Sequence, residues 1–127
     1  MKKSIKQSDI EGLKEKIRKF VRARDWEKFH KPKDLAIALI EEAAELLSHF
    51  RYLSDSEIQA MLKNKKTKKE IDYELVDVLY HLLRLSDVLN VDLKKTLNEK
   101  LKISGKKYPI SRVKGKPFKY TYYRSSY

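Results

Sequence analysis

Leu35-Ala36-Ile37-Ala38-Leu39-Ile40-Glu41-Glu42-Ala43-Ala44-Glu45-Leu46-Leu47-Ser48-His49-Phe50 is an apolar run that holds three acids and no lysine or arginine. Its apolar residues recur at intervals of three and four, the spacing of one helix face, and neither glycine nor proline breaks it. A second run, Ile71 to Leu83, repeats the arrangement around Glu74-Leu75-Val76-Asp77, again without a basic residue. On a helix that turns about 100° per residue, Glu42 stands at the edge of an arc made by Leu35, Leu39, Ile40, Ala43, Leu46, Leu47 and Phe50, with Glu45 just outside it. Glu74 stands at the edge of a matching arc of Ile71, Leu75, Val78, Leu79, Leu82 and Leu83, with Asp77 just beyond. Two helices packed through these faces bring both acidic pairs together.

Four carboxylates gathered beside an apolar core repel one another and lose hydration unless a positive charge joins them. If they were ordinary flanking charges, a lysine or arginine one turn away would pair with them. None lies between Asp34 and Phe50, or between Ile71 and Leu83. A metal is therefore expected, with Glu42, Glu45, Glu74 and Asp77 as ligands. A di-iron centre needs Glu-x-x-His on two helices. The chain offers that spacing only in Glu27-Lys28-Phe29-His30, outside both pairs, because His49 and His81 each follow an acid by four. Oxygen ligands without histidine suit Mg²⁺, with Mn²⁺ as a possible substitute.

The 127 residues fit one domain with a modest core. The net charge of +12 gathers in Lys63 to Lys69 and in Lys106 to Arg124, segments that attract polyanions, phosphates of nucleotides included. The absence of cysteine excludes disulfides and thiolate metal sites. No apolar run reaches the length of a membrane span, and the N-terminus lacks a secretory signal, so a cytoplasmic protein is expected. Capping boxes at Ser8-Asp9-Ile10-Glu11, Ser54-Asp55-Ser56-Glu57 and Thr67-Lys68-Lys69-Glu70 mark helix starts. The expected helices run from Ser8 to about His30, Pro32 to Phe50, Asp55 to Lys63, Thr67 to Leu89, and from an Asp92 cap to Ser104 with Gly105 as the stop. The lysine-rich segment before Thr67 reads as a loop. The fold class is all-α, an antiparallel four-helix-bundle-like arrangement with a short extra helix and an irregular, tyrosine-rich tail. The expected division is 1–110 for the domain and 111–127 for the tail.

Glu-x-x-Glu followed after some two dozen residues by Glu-x-x-Asp resembles the MazG-like all-α nucleoside triphosphate pyrophosphohydrolases. Arg24-Asp25-Trp26-Glu27-Lys28-Phe29-His30-Lys31-Pro32-Lys33-Asp34-Leu35 is similar to the lead-in of their dCTP pyrophosphatase-like branch. Val91-Asp92-Leu93 and Lys106-Lys107-Tyr108-Pro109 resemble its closing helix and the turn after it, so the likeness covers about residues 10–110. It implies Mg²⁺-dependent hydrolysis of a (deoxy)nucleoside triphosphate to monophosphate and pyrophosphate, in the service of cleansing the nucleotide pool. It also implies that Glu42, Glu45, Glu74 and Asp77 hold the metal, Glu45 being the candidate general base. Lys100, Lys107 and Tyr108 match phosphate-contacting positions. Trp26 and His30, with Tyr52, His81 and Ser104, match the base or sugar pocket. At the last three positions the branch tends to have tryptophan, tyrosine and asparagine, so the specificity pocket has drifted. The resemblance further implies a homodimer or a dimer of dimers. Tyr120, Tyr122, Tyr123 and Tyr127 among basic residues suit a neighbouring subunit, which is favoured, stacking on single-stranded nucleic acid, or a disordered end. The alternative reading is a catalytically inactive nucleotide- or nucleic-acid-binding helical module. A structural adaptor leaves the acids unexplained.

Overall fold

The structure, a computed structural model, describes residues 9–121. The Ser8 cap and the tail residues Tyr122, Tyr123 and Tyr127 lie outside the described residues. The all-α expectation holds: the described elements are α1 (Ile10–Ala23), a 3-10 turn (Glu27–Phe29), α2 (Pro32–Ser48), α3 (Asp55–Met61), α4 (Lys65–Val88), α5 (Leu93–Lys107) and α6 (Ile110–Val113). They fall into two compact units, the first ending at Val91 and the second beginning at Asp92.

In the first unit α4 is the central element, packed most extensively on α2 and also on α1. Lys14 Nζ donates to the Val91 carbonyl at 2.7 Å, Arg18 pairs with Asp87, and the Phe20 ring meets Tyr80. As the α1 number rises its α4 partner falls, so the two helices are antiparallel. The same holds for α2, where His30 just before it meets Arg84 and Glu42 and Glu45 gather with Glu74. Val21, Leu35, Ile71 and Leu83 are the buried apolar side chains among the described residues. Each contributes about 1.5–3 kcal/mol by leaving water.

The termini explain where expectation and structure part. The first helix stops at Ala23 rather than near His30. Asp25 takes a left-handed φ of 53°, and the N–H groups of Asp25 and Trp26 close on the carbonyls of Arg22 and Val21. This Schellman closure normally uses glycine, and aspartate tolerates the position through its short polar side chain. Asn90, at φ 57°, ends α4 in the same way, with Asn90 and Val91 closing on Asp87 and Ser86. The lysine-rich segment is not a loop. Asn64 Oδ1 accepts from the amides of Lys66 at 3.0 Å and Thr67 at 3.2 Å, so α4 begins at Lys65, ahead of the Thr67 box. The Ser54–Glu57 capping box and the Asp92 cap both form. Gly105 does not stop α5, which continues to Lys107. Pro109 ends it instead, because the residue before proline is pushed out of helical conformation, here Tyr108 at φ −123° and ψ 68°. The segment after Pro109, expected to be irregular, opens with the single turn of α6.

One correction bears directly on the acids. The buried and half-buried side chains of α2 include Leu35, Leu39, Glu42 and Leu46, and those of α4 include Ile71, Glu74, Val78, His81 and Leu83. Glu42 and Glu74 are thus inside the intrachain stripes, not at the edge of an apolar arc. The other half of each arc faces outward, with Ile40 70% and Leu75 51% exposed. The arcs are wider than one partner helix can cover.

Candidate active site

Glu42 and Glu45 lie on successive turns of α2, and Glu74 lies at the facing level of α4. One carboxylate oxygen from each falls within 4.8 Å of the other two. Helical periodicity puts the first two on adjoining positions, and the antiparallel packing of α4 supplies the third. Asp77, one turn beyond Glu74, is not a member of this close group, yet its charge acts on both Glu42 and Glu74. Of the four expected ligands, three are gathered and the fourth stands next to them.

The electrostatics are those of crowded, partly buried carboxylates. Oε2 of Glu42 and Oε2 of Glu74 are shut off from solvent without any hydrogen-bond partner. Burial raises the Glu42 carboxyl above its ordinary value, and the adjacent Glu45 and Asp77 raise it further, with His81 opposing. Burial also raises Glu74, followed by Glu45 and Asp77, with His49 opposing. Glu45 is the exposed member of the cluster. Orphaned carboxylate oxygens cost free energy that a bound cation returns. An all-oxygen donor set fits a hard divalent metal.

A second constellation surrounds His30. Arg84 Nε donates to His30 Nδ1 at 2.8 Å, and Arg84 Nη1 reaches Asp87 Oδ2 at 3.2 Å. Asp87 also accepts from Arg18 Nε at 2.8 Å and Nη2 at 3.2 Å, and Arg18 is paired with Glu15. The Asp87 hydrogen bond raises Arg18, while burial and then the Arg84 charge lower His30. His81 acts electrostatically on both His30 and Glu42, so all three share one neighbourhood. The His81 ring nitrogen Nδ1 is 2.8 Å from the Asp77 carbonyl. Trp26, 41% exposed, packs edge-on to Phe20, which meets Tyr80, which in turn meets His81.

The sequence model of the MazG-like family matches residues 37–121, a span that includes both acidic pairs. The chain belongs to the MazG-like family. It is 33% identical over 112 residues to dCTP pyrophosphatase 1 of Rattus norvegicus and 31% identical to that of Homo sapiens. Each alignment covers 88% of this chain and 66% of the relative, so the chain spans just under two thirds of those proteins. Among solved structures it resembles a pyrophosphatase from Archaeoglobus fulgidus, with a TM-score of 0.74 and 34% identity over 85% of this chain and 99% of the other.

The remaining expected residues of this MazG-like chain are distributed as follows. Tyr52 follows α2 with a left-handed φ of 71°; it is 91% exposed and its ring lies 5.1 Å from the Arg51 guanidinium. Lys100, Ser104 and Lys107 share one face of α5 in the second unit, and Tyr108 follows directly. There the Tyr108 ring meets Tyr120 edge-on at 6.1 Å, and Lys107 Nζ lies 4.8 Å from the Tyr120 ring centre. Residue spacing alone did not single out Arg84, Asp87 or Arg18. The available signal was Arg84 itself, a charge inside Leu82-Leu83-Arg84-Leu85, three residues before an aspartate that can hold it.

Proposed function

We propose that this chain is a Mg²⁺-dependent pyrophosphohydrolase that cleaves a (deoxy)nucleoside triphosphate to the monophosphate and pyrophosphate. The observation that carries the reading is the convergence of Glu42, Glu45 and Glu74 with two oxygens buried and unpartnered. The dCTP pyrophosphatases it resembles support the substrate class and favour a cytosine nucleotide. Mg²⁺, or Mn²⁺ in its place, would when bound supply positive charge to the phosphate oxygens and to the charge that develops on them in phosphoryl transfer. Glu42, Glu74 and Asp77 hold it, and Glu45 shares in ligation. Glu45 is also the group with access to a water molecule, because its carboxylate is exposed where those of Glu42 and Glu74 are partly closed off. It takes the proton of that water as the oxygen attacks phosphorus, and the α–β anhydride opens with pyrophosphate leaving.

Lys100, Lys107 and Tyr108 supply cationic and hydroxyl contacts to the phosphates. Trp26, His30, Tyr52, His81 and Ser104 are assigned to the base and sugar. Residues 1–110 carry the activity, the 111–127 tail lies beyond it, and removal of unwanted nucleotides in the cytoplasm is the service proposed. Among the described residues no helix is long and apolar enough to cross a membrane. The test is to supply a panel of NTPs and dNTPs with Mg²⁺ and identify the products. Monophosphate with pyrophosphate is expected; release of inorganic phosphate, or binding without turnover, contradicts the reading.

Assembly of two or four copies is part of the same proposal. Leu75, Leu79 and Leu82 form an i, i+4, i+7 stripe along α4 and are 51%, 38% and 41% exposed. A contiguous apolar stripe of this kind is the usual mark of a protein interface. Light scattering should give a multiple of the 15.1 kDa chain mass, and Leu79→Glu should reduce it toward one chain. A wild-type mass of one chain would remove the assembly from the proposal.

A further inference from the structure

His30 is held by groups that metal binding does not require. Its backbone N–H donates to the Glu27 carbonyl at 3.1 Å, which fixes the residue at the end of the 3-10 turn. Its Nδ1 accepts from Arg84 Nε at 2.8 Å. A guanidinium is always protonated and only donates, so Nδ1 must present its lone pair. The single proton of the neutral ring is then on Nε2. Arg84 cannot easily turn away, because its side chain is 8% exposed and Asp87 grips Nη1, while Arg18 holds Asp87 through two of its own nitrogens. Burial and the Arg84 charge both disfavour a second proton on the ring. The result is an imidazole that offers one fixed N–H within electrostatic reach of His81.

We propose that Arg84 is a positioning residue that locks His30 as an Nε2–H donor to a carbonyl oxygen of the nucleobase. This rests on the reading above that His30 faces the nucleotide. Cytosine, uracil, thymine and guanine carry such an oxygen; adenine does not. A half-buried, pre-oriented donor discriminates because a ligand without the acceptor leaves it unpaired. The position does not demand arginine for packing alone, since its Nε is the atom that touches the ring.

Two variants separate donor from bulk. Gln places its amide nitrogen at the same distance along the side chain as Arg Nε, whereas Met fills similar space without a donor. ¹⁵N NMR of the ring nitrogens, with the three histidines assigned by substitution, reads the tautomer directly. The wild type and Arg84→Gln should show unprotonated Nδ1 and protonated Nε2 at neutral pH, and Arg84→Met a mixture. In the same proteins kcat/KM for the preferred carbonyl-bearing nucleotide relative to ATP should fall about tenfold in Arg84→Met, chiefly through KM, and recover in Arg84→Gln. A wild-type ring protonated on Nδ1, or an unchanged tautomer in Arg84→Met, overturns the positioning role. A changed tautomer with an unchanged nucleotide ratio overturns the carbonyl recognition. Absence of any turnover in the wild type strikes the hydrolase reading instead, and the NMR result then still decides the role of Arg84.

Discussion

Glu42→Gln and Glu74→Gln should each lower nucleotide turnover by more than about 100-fold while leaving the helical content unchanged. Loss of groups that merely orient metal ligands costs about 10–100-fold, so loss of a ligand should exceed that. Glutamine is nearly isosteric and keeps one oxygen, but it removes the charge that a divalent cation needs. The two positions are matched by burial and by an orphaned oxygen, so their effects should be similar. Steady-state assays at saturating Mg²⁺, with circular dichroism as the folding control, decide the matter. Full activity in either variant would remove that carboxylate from the site.

Relative to Glu74→Gln, the metal-free protein should lose stability as pH rises above about 4.5, and Mg²⁺ should restore it. Glu42 and Glu74 both have folded-state pKa values above the ordinary 4.5, burial being the largest cause and Glu45 the next. A carboxyl raised in the folded state favours folding while it is protonated. Its contribution is therefore complete below the unfolded value and disappears as pH climbs through the raised one. A cation reverses the sign because it binds the ionised folded cluster and not the unfolded chain. Mg²⁺ at a hundredfold its Kd contributes about 2.7 kcal/mol, roughly 10 °C in Tm for a chain of this size. Thermal melts across pH with chelator and with Mg²⁺ test it. Glu74→Gln should melt higher than wild type in chelator at neutral pH and respond less to Mg²⁺. A metal-free wild-type melting temperature that does not fall relative to that of Glu74→Gln over this window would contradict the electrostatics described.

Much of the architecture is legible in the residues because helices are local objects. Apolar spacing, the Ser54–Glu57 box, the Asp92 cap and Asn90 at the end of α4 depend on neighbours within a few positions, and they form as expected. The misplaced ends have local causes that compete with stronger-looking signals. Gly105 looks like a stop, yet a helix tolerates one glycine, and Pro109 acts on Tyr108 regardless. The Thr67 box looks like a start, yet Asn64 caps a turn earlier and takes two amides. Asp25 held the less usual role of a left-handed cap, which composition does not announce.

Residue order alone shows a helical chain that carries two acidic pairs without basic neighbours and whose motifs resemble those of a MazG-like domain. The helical character and the acidic pairs follow from the helical repeat and from residue chemistry, both read at short range, and the family likeness is a resemblance carried by the quoted motifs. Long-range packing selected which side of each broad apolar arc lies inside the chain, and so put Glu42 and Glu74 within the contact stripe with Asp77 offset from the close group. It alone joined His30 to Arg84 across 54 positions and gave the imidazole its tautomer. Periodicity specifies which faces can pack, and long-range packing selects among them.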